Sequence, residues 1–253
     1  MPSFDHFEID IISALSSQLV SAFDNLVAGV MTEDVLGALP VGQGVYQLYH
    51  QGALVYVGKS DKLARRLSEH RKKISGRRNI LVSETAFKCL YVHPNWTALA
   101  PEESLIRHYR QTGTGECTWN GNGFGPHDPG RERETTNKPS EGFDVQYPIQ
   151  EDWPCEWIAA GQHNGKELLR SFKSGLPFLL RYQRETRSLT AGHPDYNSRT
   201  IVIRESGMSA RELLKTITEQ LPGWQATIFP GHMILYQEDR AYTHGRTVWP
   251  ERD

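Results

Sequence analysis

The chain has 253 residues, 38% of them hydrophobic and 23% charged, with a formal net charge of −2. That balance is ordinary for a soluble globular protein and leaves room for one large domain or two modest ones around a sizeable core. No apolar run approaches the ~18–20 residues of a membrane span; Met1-Pro2-Ser3-Phe4-Asp5 lacks the regions of a signal peptide, and Cys89, Cys117 and Cys155 are too scattered for a disulfide framework or a zinc cluster, which fits a reducing cytoplasm.

The net charge conceals an asymmetry. Residues 1–58 contain no Lys or Arg but carry Asp5, Glu8, Asp10, Asp24, Glu33 and Asp34. Residues 59–78 then carry nine basic side chains (Lys59, Lys62, Arg65, Arg66, Arg71, Lys72, Lys73, Arg77, Arg78) against Asp61 and Glu69. Alone, such a run reads as a solvated helix face; beside phosphate chemistry it reads as part of a DNA-facing surface.

Taken in order, Ile11, Leu15, Leu19, Phe23 and Leu26 recur at helical spacing, with Ile12 and Ala22 widening the stripe, and predict an acidic amphipathic helix. Val45–Tyr49 and Ala53–Val57 are β-rich runs split by His50-Gln51-Gly52, a natural hairpin. Ser60 or Asp61 can cap the following helix, whose apolar stripe is Leu63, Leu67 and Ile74, and which projects Arg66 and His70 from one face. Phe87–Val92 is a third strand and Pro101–Tyr109 a second helix. A Gly- and Pro-rich stretch, 119–133, is a loop that Phe124 anchors; residues 139–165 read as a connector with strand character. From Thr200 comes a second β-α-β-β pattern: Thr200–Arg204, a helix behind a Ser209/Glu212 capping box, Gln225–Phe229 and His232–Tyr236.

The segment from Gly44 to His70 holds what phosphodiester hydrolysis needs: phenols that take a proton, an imidazole that tunes them and a guanidinium for the phosphate. A free phenol, near pKa 10, is too weakly acidic to be an ideal base at neutral pH, so Tyr46 needs either a lowered pKa or a relay through His70, Lys59 or Arg66. Arg66 suits phosphoryl oxygens because its charge is permanent and its donors are forked. Each residue also has a plainer reading, since strand tyrosines are ordinarily packing residues and a histidine is usually structural.

The tripeptides Gly44-Val45-Tyr46 and Tyr56-Val57-Gly58, with Arg66-x-x-x-His70, Glu102 and Asn120 downstream, resemble the GIY-YIG nuclease superfamily and its type II restriction endonuclease branch. The likeness covers roughly residues 42–133 and includes the Gly123-Phe124-Gly125 and Asp128-Pro129-Gly130 loop. It implies an α+β fold, a small mixed β-sheet flanked by helices in β-β-α-β-α order. The expected domains are an N-terminal helical extension (1–41), a nuclease core (42–138) and a C-terminal α/β region (139–253) for DNA recognition or dimerisation.

The resemblance also implies roles. Tyr46 is the general base with His70 its hydrogen-bond partner, Tyr56 positions the water or phosphate, Arg66 holds the phosphoryl oxygens, and Asn120 orients Glu102 or a phosphate. Glu102 is the ligand of a single Mg²⁺ (or Mn²⁺). Arg65, Glu103 and Asn122 stand as alternatives to their neighbours. Lys59, Lys62, Arg65, Arg71, Lys72, Asn122 and Arg131 are the expected DNA-phosphate contacts. The implied protein is a Mg²⁺-dependent, site-specific endonuclease acting on double-stranded DNA, a homodimer or higher homo-oligomer in the bacterial cytoplasm, with no membrane partner. Arg181, Arg184, Arg187, Arg199 and Arg204 are candidate base readers. The alternatives are a structure-selective repair or homing endonuclease, and a catalytically silent DNA-binding module.

Overall fold

A strand pair joined by two residues forms where Gln51 and Gly52 take positive φ (49° and 83°), the turn whose twist matches that of the flanking strands. In the computed structural model, which describes residues 3, 11–93, 101–125, 132–136, 139–185 and 192–251, this hairpin is the centre of the first of two units. Residues 126–131, which include Arg131, lie outside the described residues, as does Arg187.

The first unit comprises Met1–Arg71 and Leu81–Gly125. Its elements are α1 (Ile11–Asp24), β1 (Gly29–Val30), α2 (Glu33–Gly37), β2 (Gly44–His50), β3 (Ala53–Ser60), α3 (Leu63–Ser75), β4 (Thr85–Tyr91) and α4 (Pro101–Thr112), with the last turn of α3 counted in the second unit. The strands lie in the order β1-β4-β2-β3, so β2 is interior and β3 is an edge. This is the expected α+β fold with β-β-α-β-α order, but the sheet is antiparallel in each described pairing rather than mixed. The reason is topological: α3 returns the chain so that β4 runs parallel to β3, and β2 lies between them.

Both faces of β2 are covered. Val45, with Leu54 and Val57 of β3, packs against Leu15, Leu19 and Phe23 of α1 and Leu105 and Tyr109 of α4. The N-terminal amphipathic helix therefore seals one face of the sheet. The opposite face carries Tyr46, Leu48 and Tyr56 and is the one that matters for chemistry.

The second unit comprises Lys72–Ile80 and Pro126–Asp253. It contains α5 (Glu132–Thr135), α6 (Phe143–Gln146), β5 (Gly161–Asn164), α7 (Gly165–Gly175), β6 (Leu179–Tyr182), α8 (Pro194–Asn197), β7 (Thr200–Ile203), α9 (Ala210–Glu219), β8 (Gln225–Ile228), β9 (His232–Tyr236) and β10 (Arg246–Trp249). The expected β-α-β-β pattern is present, capping box included, as Glu212 N donates to Ser209 Oγ and Ser209 N to the Glu212 carboxylate. Its strands do not form one sheet, however: β7 pairs with β5, while β8 and β9 join β10 and β6 in the order β10-β8-β9-β6, with β6 parallel to β9. Leu168, Leu169 and Phe172 of α7 and Leu213, Leu214 and Ile217 of α9 fill the core with Trp224, Met233 and Leu235.

The reading of residues 59–78 as one DNA-facing surface needs correction. Arg77 is 2% exposed; its Nη1 lies 3.0 Å from Asp144 Oδ1 and donates to the Tyr147 carbonyl at 3.1 Å. Arg78 donates to Asp152 at 2.8 Å, and Lys72, although exposed, donates to the Ser174 carbonyl at 3.0 Å. The end of the basic run thus supplies structure to the second unit. Arg181 likewise donates to buried Glu134 at 2.7 Å, and Arg199 to the carbonyls of Asp195 and Gln220, so neither side chain is held out as a base reader. Arg204 is exposed and Arg184 partly so.

Asp144 accepts from Arg133 as well as facing Arg77. Burial pushes its carboxyl up, but Arg77, Lys73 and Arg133 outweigh that and hold it below its ordinary 3.8. Replacement Asp144→Ala leaves Arg77 buried without a counter-charge and is expected to cost about 3–5 kcal/mol in denaturant unfolding. Because the folded carboxyl is the stronger acid, its contribution is complete well above its ordinary value and is lost as the pH falls through the folded one. The difference from wild type should therefore narrow below about pH 4.

Candidate active site

In the β2–β3 register Tyr46 faces Gly58 and Leu48 faces Tyr56, so the two tripeptide tyrosines share one face, ring centroids 6.0 Å apart. The glycine is dictated by that crowding. A Cβ at Gly58 would stand 2.5 Å from both Cζ and the hydroxyl oxygen of Tyr46, a distance no side chain tolerates against a ring held in a sheet.

The adjoining helix is set by two backbone contacts. Lys62 N donates to Ser60 Oγ at 3.0 Å and Leu63 N to the Gly42 carbonyl at 2.9 Å, so Ser60 is the residue that prepares the helix start. Leu63 and Leu67 are fully buried beneath α3. One further turn along, His70 Nε2 lies 2.7 Å from the Tyr46 hydroxyl, with Tyr46 and His70 only 0% and 3% exposed. Arg66, four residues before His70, interacts with both phenols. Arg65 is the solvent-facing neighbour, its side chain 72% exposed against 20% for Arg66. The carboxylate of Glu69 holds both arginines, 3.2 Å from Arg66 Nη1 and 3.4 Å from Arg65 Nε.

Burial pushes the Tyr46 phenol far above its ordinary 10; Tyr56 and Glu102 raise it further, and the Arg66 guanidinium opposes them without prevailing. Tyr56 is raised for the same reasons, burial first and Glu102 second. Burial disfavours the charge of Arg66, but Tyr46, Glu69 and Tyr56 together outweigh this and raise it. Of the two ways open to Tyr46, a lowered pKa is therefore not the one built here. The phenol keeps its proton at rest, and the imidazole 2.7 Å away is where that proton can go.

Glu102, in the first turn of α4, is partly buried and acts electrostatically on both phenols, whereas Glu103 is exposed. Among the described residues no three His, Cys, Asp or Glu side chains converge as a metal cluster. A single carboxylate suits Mg²⁺, a hard cation that keeps most of its waters and takes few protein oxygens. Glu102 as a hard oxygen donor fits that ion.

The Asn120 side chain is bonded to the backbone of the edge strand β3. Its Oδ1 accepts from Val57 N at 2.9 Å and its Nδ2 donates to Val57 O at 2.8 Å. These are the outward backbone groups of an edge strand, and the amide satisfies both at once. Asn120 thus braces the strand that carries Tyr56 and Gly58. Asn122 donates to the Thr118 carbonyl within the loop. The loop is in turn fastened by Trp119 N to Val55 O and by Arg110, which donates to the carbonyls of Glu116, Cys117 and Asn120.

Of the expected phosphate contacts, Lys59, Lys62 and Arg65 are exposed, while Arg71 is paired with Glu33 at 2.7 Å. Sequence reasoning missed Glu69 and Arg110 as partners of the site. An acidic residue three after Arg66 was a readable i,i+3 signal; Arg110, whose contacts are to carbonyls, left none.

Residues 35–148 match the family model described as the Eco29kI GIY-YIG domain. That stretch of the chain thus carries a GIY-YIG nuclease domain. No curated protein matches the sequence. Two solved structures resemble it in part, both of the GIY-YIG N-terminal endonuclease domain of UvrC from Thermotoga maritima. One, bound to magnesium as its catalytic divalent cation, is 25% identical over 31% of this chain and 93% of that one, with a TM-score of 0.25. The other, a point mutant bound to its catalytic divalent cation, is 25% identical over 30% of this chain and 87% of that one, also with a TM-score of 0.25.

Replacement Asn120→Ala removes two hydrogen bonds to the Val57 backbone, and the buried strand edge then lacks partners. Thermal unfolding should register a loss of about 1–3 kcal/mol, and the cleavage rate should fall while DNA affinity changes little.

Proposed function

We propose that this protein is a type II restriction endonuclease that cleaves both strands of DNA at a defined sequence in a Mg²⁺-dependent reaction. The observation that carries the reading is the buried hydrogen bond between the Tyr46 hydroxyl and His70 Nε2, at 2.7 Å. In the hydrolysis, Tyr46 Oη takes a proton from the attacking water as its own proton passes to His70 Nε2. The water oxygen forms the new bond to phosphorus, and the bond to the 3′-oxygen breaks, leaving a 5′-phosphate and a 3′-hydroxyl whose proton comes from solvent. No free phenolate accumulates, so the raised Tyr46 phenol is compatible with work at neutral pH.

Tyr56, beside Tyr46, positions the water or the scissile phosphate. Arg66 exchanges the Glu69 carboxylate for a phosphoryl oxygen, where its fixed charge meets the charge that develops in the transition state. Glu102 would hold one Mg²⁺ (Mn²⁺ being the alternative), and the bound ion supplies charge neutralisation at the phosphoryl group and the leaving oxygen. Lys59, Lys62 and Arg65, exposed on the strand and helix leading to the site, track the DNA backbone. Cutting both strands of a palindromic site calls for two such sites, and we assign the active form as a homodimer on DNA.

Digestion of a sequenced plasmid with the full chain and Mg²⁺, followed by mapping of the ends, should give discrete fragments sharing one sequence at their termini. Cleavage confined to branched or damaged DNA would assign the site to repair instead, and no cleavage of any DNA would leave a binding module. Replacement Glu102→Ala should abolish cleavage, a loss of at least about 10³-fold, while DNA binding in Ca²⁺ persists. Light scattering on specific DNA should give the mass of two chains per site; one chain per cut duplex would contradict the dimer.

A further inference from the structure

His70 meets the Tyr46 hydroxyl through Nε2, and the plane in which its ring lies is set by what packs against its face. Its face is closed by Phe124, whose ring lies 4.7 Å away at an interplanar angle of 17°, a stacked pair. Phe124 is 1% exposed and buried on its other sides by aromatic rings: Tyr56 meets it edge-on at 5.1 Å and 68°, and Trp119 at 4.7 Å and 41°. Trp119 is itself fixed by its backbone bond to Val55. The site is therefore an aromatic box around one imidazole, with a polar contact from Tyr46 and an apolar wall from Phe124.

On the basis of the relay proposed above, we infer that Phe124 is a positioning residue for the reaction, holding the His70 ring so that Nε2 stays aimed at the Tyr46 hydroxyl. It has no polar atom to offer the substrate. Its action is through the ring it covers. A phenyl face does two things for a proton acceptor: it fixes the plane of the imidazole, and it presents negative quadrupole density to the imidazolium formed when the proton arrives. It also keeps water from competing for the ring. A general apolar filler would supply only the last of these.

The test is a double-mutant cycle on the full chain, read as single-turnover cleavage of the mapped plasmid site in Mg²⁺, with affinity for the same DNA measured in Ca²⁺. Phe124→Leu should slow cleavage on the order of 10–100-fold, the range expected when a reacting group loses its alignment, and leave affinity within about twofold. Phe124→Tyr restores the ring and should recover most of the rate. The low-pH limb of the Phe124→Leu rate profile should move to lower pH, because the charged imidazole has lost its aromatic face. In a His70→Gln background the same Phe124→Leu change should cost little or nothing, since the group it positions is gone.

A damaged fold would cost as much in either background, so the cycle separates positioning from general destabilisation even if the leucine variant melts early. Equal losses in the two backgrounds, or wild-type cleavage by Phe124→Leu with an unmoved pH limb, would overturn the inference while leaving the relay intact. Wild-type cleavage by His70→Gln would instead overturn the relay itself.

Discussion

The hydrogen bond between Tyr46 and His70 closes only if a strand and a helix are each in register. Tyr46 must come from the interior strand of the sheet, which fixes its hydroxyl against the glycine of the second tripeptide. His70 must come from the second turn of a helix whose start is set by Ser60 and the Gly42 carbonyl. The loop that follows α4 folds back over the edge strand, where Asn120 pairs with Val57 and Phe124 covers the imidazole. A slip of one residue in the hairpin would turn Tyr46 to the face packed by α1 and α4 and leave His70 without its partner.

The electrostatics follow from burial. Withdrawing two phenols from water makes both poorer acids, and the nearby carboxylate of Glu102 adds to that effect. Arg66 supplies the compensating positive charge, and Glu69 holds it at the solvent side. Such a site favours a reaction in which negative charge arrives with the substrate and a proton is moved along a short path, rather than one that begins from an anionic nucleophile stored in the protein. Glu102, the partly buried carboxylate in the first turn of α4, is in keeping with that economy.

Much of this was legible in the chain. The two tripeptides and the i,i+4 spacing of Arg66 and His70 specify the hairpin, the helix and the shared face, because strand and helix periods are local properties. The N-terminal stripe of Leu15, Leu19 and Phe23 announced its burial in the same way. What could not be read were pairings between distant segments. Arg77 belongs by sequence to the basic run, yet Asp144 makes it a core residue, and buried Glu134 engages the partly exposed Arg181. Asn120 was recognisable as a site residue, but its partners are a backbone N–H and C=O, which carry no signature in side-chain identity. Phe124 read as a loop anchor, and only three-dimensional placement brings its ring onto His70.

The central claim is that the Tyr46 hydroxyl moves the proton. The most direct measurement is single-turnover DNA cleavage by Tyr46→Phe in Mg²⁺, since phenylalanine fills the same space over Gly58 and removes only the oxygen that His70 meets. The account predicts a loss of at least about 10³-fold in rate with DNA affinity in Ca²⁺ unchanged. Cleavage by Tyr46→Phe within a few-fold of wild type would contradict it.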